Sequence, residues 1–353
     1  MLEVQIYITG ECNLHCPFCS GRLGKMAGSR DLPLDRWRDF FHELGENRVF
    51  RVTLTGGGEP FIRKDLVEIC RSIAENRMRW RIRTNGTLIT ESTAAELAEV
   101  GRCDEIRVSL DGLEADHDAV RGEGVFQRAT KGIGFLQKAG LPVSVHTTIA
   151  GVHLGTLRLF LDFLDSIGVS RVSEGLVKPT NGKTDYFREM DLLNGADIAR
   201  SLTEHRDLPE RLRRLIVRSA PLKLWRQWRK WLLEPESFPP VSRKGRTVSC
   251  SVIRRSVAVS PDGKISPCSY RADRVGGRIG EDSVMAVWRE LNAQLERIDC
   301  IPDPECAECE HLPLCGYHCQ GRPPYCFKAS LPFLSDLKTW PRPEELFPCW
   351  DGR

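Results

Sequence analysis

The first half of the chain alternates short β-branched segments with helical segments, and this alternation constrains the fold more than any other feature. The predicted strands are residues 4–8, 51–55, 80–84, 105–109, 143–149 and 171–177. The predicted helices are residues 35–45, 65–76, 91–100, 126–139 and 156–167. Repeated strand–helix units form a parallel sheet covered by helices, and the loops that follow the strands carry the chemistry of such folds. We therefore predict an α/β fold, a partial (β/α)6 TIM-like barrel.

The rest of the chain has a different composition. Residues 181–245 are expected to form a basic helical connector, and the residues from 246 onward are rich in cysteine. Within that last part, residues 256–260 and 264–267 predict a β-hairpin that turns at Asp262-Gly263. The expected domains are thus residues 1–180, 181–245 and 246–353.

The connector contains a strongly basic segment. Residues 211–233 include eight Lys or Arg and no Asp or Glu, and Trp225, Trp228 and Trp231 recur at nearly helical spacing. Three interpretations stay open. The segment could be a docking surface for an acidic peptide, a connector helix with buried tryptophans and solvated cations, or a helix that lies on a membrane surface.

Cysteine usage points to metal. The chain has 14 cysteines, of which three lie between positions 12 and 19 and nine between 250 and 349. No apolar run is long enough to span a bilayer, the amino terminus does not look like a signal peptide, and a net charge of +3 does not favour nucleic acid. We expect a cytoplasmic protein, in which clustered cysteines bind metal more often than they form disulfides. Cys70 and Cys103 stand apart and are predicted to be buried structural thiols.

The first cysteine cluster lies in the loop after the first predicted strand. Cys12, Cys16 and Cys19 place three thiols on eight residues. Three thiolates can hold a four-iron cluster with one iron left open. The spacing alone also allows a zinc site completed by His15 or by a distant residue.

With Phe18 before its last cysteine, the motif resembles the signature of the radical S-adenosylmethionine (SAM) superfamily. The resemblance implies a catalytic [4Fe-4S] cluster whose open iron binds SAM, and reductive cleavage of SAM to a 5′-deoxyadenosyl radical that removes hydrogen from a substrate. Motifs after the next strands resemble the family in the same order, within residues 1–180. They imply contacts to the amino group, the ribose and the carboxylate of SAM. The implied cofactor-binding residues are Phe18, Gly57, Gly58, Glu59, Pro60, Asn85, Ser109, Asp111 and Arg121. No catalytic residue beyond the cluster ligands is identified.

The carboxy-terminal cysteines resemble the SPASM extension of radical SAM enzymes, which houses auxiliary iron–sulfur clusters. The resemblance implies one or two such clusters, and a pair of structural zinc sites is the alternative. Because no cysteine lies between Cys250 and Cys268, the first cluster could have an open iron, a non-cysteine ligand or fewer irons. Cys349 competes with Cys326 for the last position, and Cys300 is a further spare thiol. The implied ligands are Cys250, Cys268 and Cys319 for one cluster and Cys306, Cys309, Cys315 and Cys326 for the other.

The resemblance also implies an oxidoreductase served by a flavodoxin- or ferredoxin-type electron donor. The substrate class that it favours is a ribosomally made peptide, which the enzyme modifies or crosslinks. A sulfatase-maturing activity is disfavoured, because Ser269 stands where those enzymes have an aspartate. The alternatives are radical modification of a small molecule, such as a tetrapyrrole or a sugar, and a non-catalytic metal-binding scaffold.

Overall fold

The computed structural model describes residues 1–17, 19, 30–150, 153–176, 193–237, 246–247, 254–268, 272, 274–295, 299–300, 331–334 and 336–352. The strands are β1 (Glu3–Tyr7), β2 (Arg51–Thr55), β3 (Arg79–Thr84), β4 (Cys103–Ser109), β5 (Val143–Ile149), β6 (Val172–Leu176), β7 (Ile216–Ser219), β8 (Arg246–Thr247), β9 (Ser256–Val259), β10 (Lys264–Ser266), β11 (Gly277–Arg278) and β12 (Asp299–Cys300). The helices are α1 (Leu34–Glu46), α2 (Leu66–Glu75), α3 (Glu91–Val100), α4 (Glu114–Arg121), α5 (Val125–Lys138), α6 (Leu157–Ser166), α7 (Gly195–Arg206), α8 (Glu210–Arg213), α9 (Ala220–Leu233), α10 (Val284–Leu295) and α11 (Pro343–Leu346).

The chain divides into two compact units. The first contains Met1–Ser109, Arg121–Val143 and Val248–Ile298, and the second contains Leu110–Val120, Ser144–Thr247 and Asp299–Arg353. No helix among the described residues is long and apolar enough to cross a membrane. The expected division into three domains stays a prediction.

The first unit is built on a parallel sheet in which β2 lies between β1 and β3, and β4 pairs with β3. Side chains alternate between the two faces of these strands. The residues on one face are fully buried: Val4, Ile6, Val52, Leu54, Trp80, Ile82, Ile106 and Val108. Burying each such aliphatic side chain contributes about 1.5–3 kcal/mol. This apolar face holds the sheet together and leaves the other face free for polar side chains.

The predicted hairpin is confirmed, since β9 and β10 pair antiparallel and Gly263 takes a left-handed φ of +85° at the turn. The sequence did not predict that β9 also pairs in parallel with β1. The carboxy-terminal part of the chain thus extends the sheet of the first unit. Arg36 in α1 donates to the carbonyl of Ile279 at 3.2 Å and fixes this extension further.

The second unit contains the parallel strands β5, β6 and β7. The predicted helical connector is interrupted at residues 216–219, which form the strand β7. The β-branched pair Ile216-Val217 favours a strand that can pair with β6. The helix begins only afterwards, where the hydroxyl of Ser219 accepts from the amide of Leu222 and Pro221 occupies the first turn.

The basic helix α9 buries two of its three tryptophans, while Trp231 is half-buried. Trp225 and Trp228 are buried, at 0% and 1% exposure. Arg229 donates to the carbonyl of Trp340 at 2.6 Å, and Arg226 donates to that of Gly352 at 2.8 Å. The cations of this helix therefore hold the carboxy-terminal segment of the same unit, which supports the connector interpretation.

Candidate functional site

The three amino-terminal cysteines lie on the loop that follows β1. Cys12 is exposed, and Cys16 and Cys19 are half-buried. The amide of Cys19 donates to the carbonyl of Cys16 at 3.2 Å, so the chain turns back between these two thiols. The amide of Leu14 donates to the Sγ atom of Cys12 at 3.4 Å. Phe18 lies outside the described residues.

In the loop after β2, Gly58 packs closely against the cysteine loop. The amide of Gly58 donates to the carbonyl of Thr9 at 3.0 Å, and the amide of Glu59 donates to that of Glu11 at 2.7 Å. A Cβ atom on Gly58 would lie 1.8 Å from the Glu11 carbonyl oxygen. Only glycine allows this backbone approach. Glycine is therefore needed at position 58 because the loop after β2 contacts the cysteine loop there.

Glu59 is the centre of the polar contacts at this site. Its side chain is buried, and its Oε1 atom accepts from the hydroxyl of Thr84 at 2.6 Å and from the amide of Phe61 at 3.1 Å. Its Oε2 atom accepts from the amide of Asn85 at 2.7 Å. A carboxylate offers about four acceptor positions. Glu59 therefore keeps capacity for one more donor while it fixes the loop after β3.

Asn85 connects that loop to the cysteine loop. Its side-chain amide donates to the Oδ1 atom of Asn13 at 2.9 Å, and its own Oδ1 atom accepts from the amide of Thr87 at 2.9 Å. Asn13 in turn donates to the Thr87 hydroxyl at 2.9 Å. The loops after β1, β2 and β3 thus form a single hydrogen-bonded network around Glu59 and Asn85.

Arg121 supplies positive charge to the same place. Burial is the main cause that raises the pKa of Glu59, while its hydrogen bonds and the charge of Arg121 act in the opposite direction. Burial of the thiol likewise raises the pKa of Cys12, with smaller contributions from the charges of Glu59 and Cys19, and Arg121 again opposes the shift. Cys12, Glu59 and Arg121 therefore interact electrostatically.

Comparison with known proteins identifies the family. The model of the radical SAM superfamily matches residues 6–167, and the model of an iron–sulfur cluster-binding domain, SPASM, matches residues 250–310. The chain belongs to the radical SAM superfamily and carries a SPASM domain. Its cofactors are SAM, a [4Fe-4S] cluster and the auxiliary iron–sulfur clusters of the SPASM domain.

Relatives of this radical SAM protein include an AdoMet-dependent heme synthase of Methanosarcina barkeri, 29% identical over 89% of this chain and 90% of that protein. A PqqA peptide cyclase of Granulibacter bethesdensis is 25% identical over 89% of this chain and 81% of that protein. Among solved structures, anSMEcpe with bound AdoMet matches with a TM-score of 0.70 at 16% identity over 99% of both chains. This structural likeness shows the fold alone, and it confirms the expected α/β partial-barrel class.

The residues of this radical SAM protein fit its cofactors in chemical terms. Three thiols share one loop, and a buried carboxylate with spare acceptor capacity lies close by. Soft thiolate ligands suit iron–sulfur clusters. Within the described ranges, no group of three or more His, Cys, Asp or Glu side chains is already arranged to hold a metal ion.

The other residues predicted to bind the cofactor are Gly57, Pro60, Ser109 and Asp111. Gly57 and Pro60 are buried in the loop after β2, and Ser109 is half-buried at the end of β4. Asp111 belongs to the second unit and is fully buried, where it accepts from the amide of Thr148 at 2.7 Å. Its contact with SAM stays a prediction.

Most of the predicted auxiliary ligands lie outside the described residues, namely Cys250, Cys306, Cys309, Cys315, Cys319 and Cys326. Cys268 is half-buried and Cys349 is exposed. Cys70 is fully buried as predicted, whereas Cys103 is half-buried, with its pKa raised to about 12 mainly by burial. The choice between Cys326 and Cys349 stays a prediction.

One member of the hydrogen-bonded network, Asn13, was not predicted from the sequence. Asn13 lies between two cluster cysteines, and its link to Asn85 gives no periodic or compositional signal. Thr84 and Thr87 lie within two residues of the predicted Asn85, but the hydrogen bonds of their hydroxyl groups to Glu59 and Asn13 could not be predicted from the sequence. These contacts join residues more than 20 positions apart, which only the folded chain brings together.

Proposed function

We propose that the loops after β1, β2 and β3 hold the catalytic cluster and SAM. Cys12, Cys16 and Cys19 are the cluster ligands in this proposal, with Gly57, Gly58, Glu59 and Asn85 beside the cofactor. When bound, these groups supply reductive cleavage of the sulfonium and removal of a hydrogen atom from the substrate. A flavodoxin- or ferredoxin-type protein would deliver the electron.

The observation that carries the proposal is the environment of Glu59. Its carboxylate is buried, accepts three hydrogen bonds and has one acceptor position left. Burial disfavours the charged carboxylate, so a nearby ammonium group would stabilise it. SAM carries both an ammonium and a carboxylate, and Arg121 is the cation that we assign to the latter. The chain's residues thus bind and orient the amino-acid part of the cofactor.

For the substrate we propose a ribosomally made peptide. The support comes from relatives such as the PqqA peptide cyclase, which matches over most of both chains. By this proposal the enzyme forms a new bond in the peptide or oxidises one of its side chains. A peptide substrate would enter at the carboxyl ends of the strands, the end at which these loops lie.

A second candidate is a tetrapyrrole. It is favoured by the similarity to the AdoMet-dependent heme synthase of Methanosarcina barkeri. That protein shares higher sequence identity with this chain than the cyclase does, and the match covers 90% of its length. Both candidates require the same SAM site. They differ in the molecule that loses the hydrogen atom.

The test is a comparison of products. The reconstituted enzyme with SAM and dithionite is incubated either with short peptides encoded beside its gene or with iron–coproporphyrin III, and the products are analysed by mass spectrometry. Loss of hydrogen mass from a peptide, in amounts that match 5′-deoxyadenosine, supports the peptide proposal. A mass change confined to the porphyrin would select the second candidate instead.

A further inference from the structure

One face of the sheet in the first unit is polar. In parallel strands, residues paired in register lie on the same face, so Arg81 on β3 and Glu105 on β4 are neighbours. The next row toward the carboxyl ends of these strands consists of Arg83 and Arg107. Ile82, between the two β3 arginines, points to the apolar face and is fully buried. The polar face therefore carries a column of arginines that leads toward the cofactor loops.

At the amino ends of the strands, carboxylates accompany these arginines. The Nε atom of Arg51 lies 3.0 Å from Asp104, and Arg79 also pairs with Asp104. Arg81 lies 3.6 Å from Asp104 and 3.9 Å from Glu105. The positive charge at this end of the face is thus compensated within the protein.

Arg83 lacks such compensation. Its side chain is exposed, and within the part of the chain that the structure describes its guanidinium group makes no ion pair or hydrogen bond. Its neighbour Arg107 donates to Glu105 at 2.8 Å, which holds the second guanidinium group in place. An anion bound at Arg83 would neutralise this exposed guanidinium group, and Arg107, which is paired with Arg83 in register, would flank the anion.

The position of this pair is next to the candidate SAM site. Arg83 directly precedes Thr84 and Asn85, both of which donate to the Glu59 carboxylate. Thr84 is buried on the opposite face, so Arg83 points away from Glu59. In parallel α/β folds the carboxyl ends of the strands bind the substrate. An anion at Arg83 would therefore belong to a molecule that lies beside SAM.

We propose that Arg83 and Arg107 bind a carboxylate of the substrate, an inference that rests on the proposed function of the adjoining loops. The planar guanidinium fork matches a carboxylate through two parallel hydrogen bonds. A tetrapyrrole propionate and an acidic side chain of a peptide both supply this group. The pair would select acidic substrates over neutral ones and fix their register against the cofactor.

The experiment measures binding to the reconstituted enzyme with SAM present. The probes are two matched pairs: coproporphyrin III with its methyl ester, and a fluorescein-labelled peptide that contains Glu with its Gln counterpart. Fluorescence anisotropy gives the affinity of each for the wild type, Arg83→Gln, Arg83→Lys and the control Arg71→Gln. Arg71 is an exposed arginine on α2, so Arg71→Gln removes the same charge at a different place on the first unit.

We expect Arg83→Gln to weaken binding of at least one carboxylate probe about tenfold or more, which corresponds to about 1.4 kcal/mol, with partial recovery in Arg83→Lys. The ester and the Gln peptide should bind equally to all variants, and Arg71→Gln should match the wild type. The probe pair that responds identifies the source of the carboxylate. Equal affinities in Arg83→Gln and Arg71→Gln would overturn the proposal, as would a loss of SAM affinity in Arg83→Gln that matches the loss for the probe. Because the assay measures binding without turnover, it tests the carboxylate site even if the proposed radical chemistry does not occur.

Discussion

At the scale of single residues, the site depends on one buried acid. Glu59 accepts hydrogen bonds from Thr84, Asn85 and Phe61 and is shielded from water. These donors stabilise its ionised form against the cost of burial. The side chain thus has two tasks, because it fixes the loop after β3 and also presents negative charge to whatever cation binds there.

We expect Glu59→Gln to weaken SAM binding by roughly one to two orders of magnitude. Losing a hydrogen bond to a charged group costs about 1.5–3 kcal/mol. Isothermal titration of the reconstituted protein with SAM gives the affinity, and Glu99→Gln, an exposed acid on α3, is the matched control. An unchanged affinity in Glu59→Gln would mean that the ammonium group binds elsewhere.

Two glycines of the first unit allow a second comparison. A Cβ atom on Gly58 would lie 1.8 Å from the Glu11 carbonyl, whereas one on Gly134 in α5 would meet nothing within 4 Å. Gly58→Ala should therefore separate the loop after β2 from the cysteine loop and lower the iron retained after reconstitution. Gly134→Ala should keep its iron and gain up to about 1 kcal/mol of stability from helix propensity. Iron analysis and denaturant unfolding measure both effects, and equal iron retention would argue against the loop contact.

At the scale of elements, α7 is attached to β6 by a buried ion pair. His205 donates from Nε2 to Glu174 across 2.9 Å, and both side chains are fully buried. Burial disfavours the charged imidazole, but the charge and hydrogen bond of Glu174 outweigh it and raise the pKa of His205. Because the pKa is higher in the folded state, this pair stabilises the fold fully below the unfolded value of 6.5, and the contribution is lost as the pH rises through the folded value.

His205→Gln should therefore destabilise the protein most at acidic pH. The difference in unfolding free energy from the wild type should shrink as the pH increases above 6.5. Denaturant unfolding at a series of pH values measures it, with His42→Gln on the exposed face of α1 as the control. A difference that grows with pH would show that His205 is neutral in the folded protein at these pH values.

The strands and helices also show which parts of the fold can be predicted from the sequence. All six strands and five helices predicted in the first half are confirmed within two residues, because strict alternation and amphipathic spacing fix them locally. The strand β7 was not predicted, because it is only four residues long, lies inside a basic helical segment and has just two β-branched residues before it pairs with β6. The parallel contact of β9 with β1 was missed because it joins residues about 250 positions apart.

At the scale of the whole molecule, the candidate SAM site is formed by the order of loops along one sheet edge. Consecutive parallel strands bring the loops after β1, β2 and β3 to the same end, and the motifs found in sequence order become neighbours there. The family could be predicted because these motifs are short and contiguous. The hydrogen bonds among Asn13, Thr84 and Thr87 could not, because they depend on the close packing of three separate loops.

The most direct test of the central claim is cleavage of SAM by the anaerobically reconstituted protein. With dithionite as reductant, we predict 5′-deoxyadenosine in the wild type and iron well above four atoms per chain, since a [4Fe-4S] cluster and at least one auxiliary cluster are present. Replacing Cys12, Cys16 and Cys19 together with alanine should abolish 5′-deoxyadenosine while the absorption of the auxiliary clusters remains. Stoichiometric zinc in protein purified without oxygen, with no 5′-deoxyadenosine after iron reconstitution, would contradict the account.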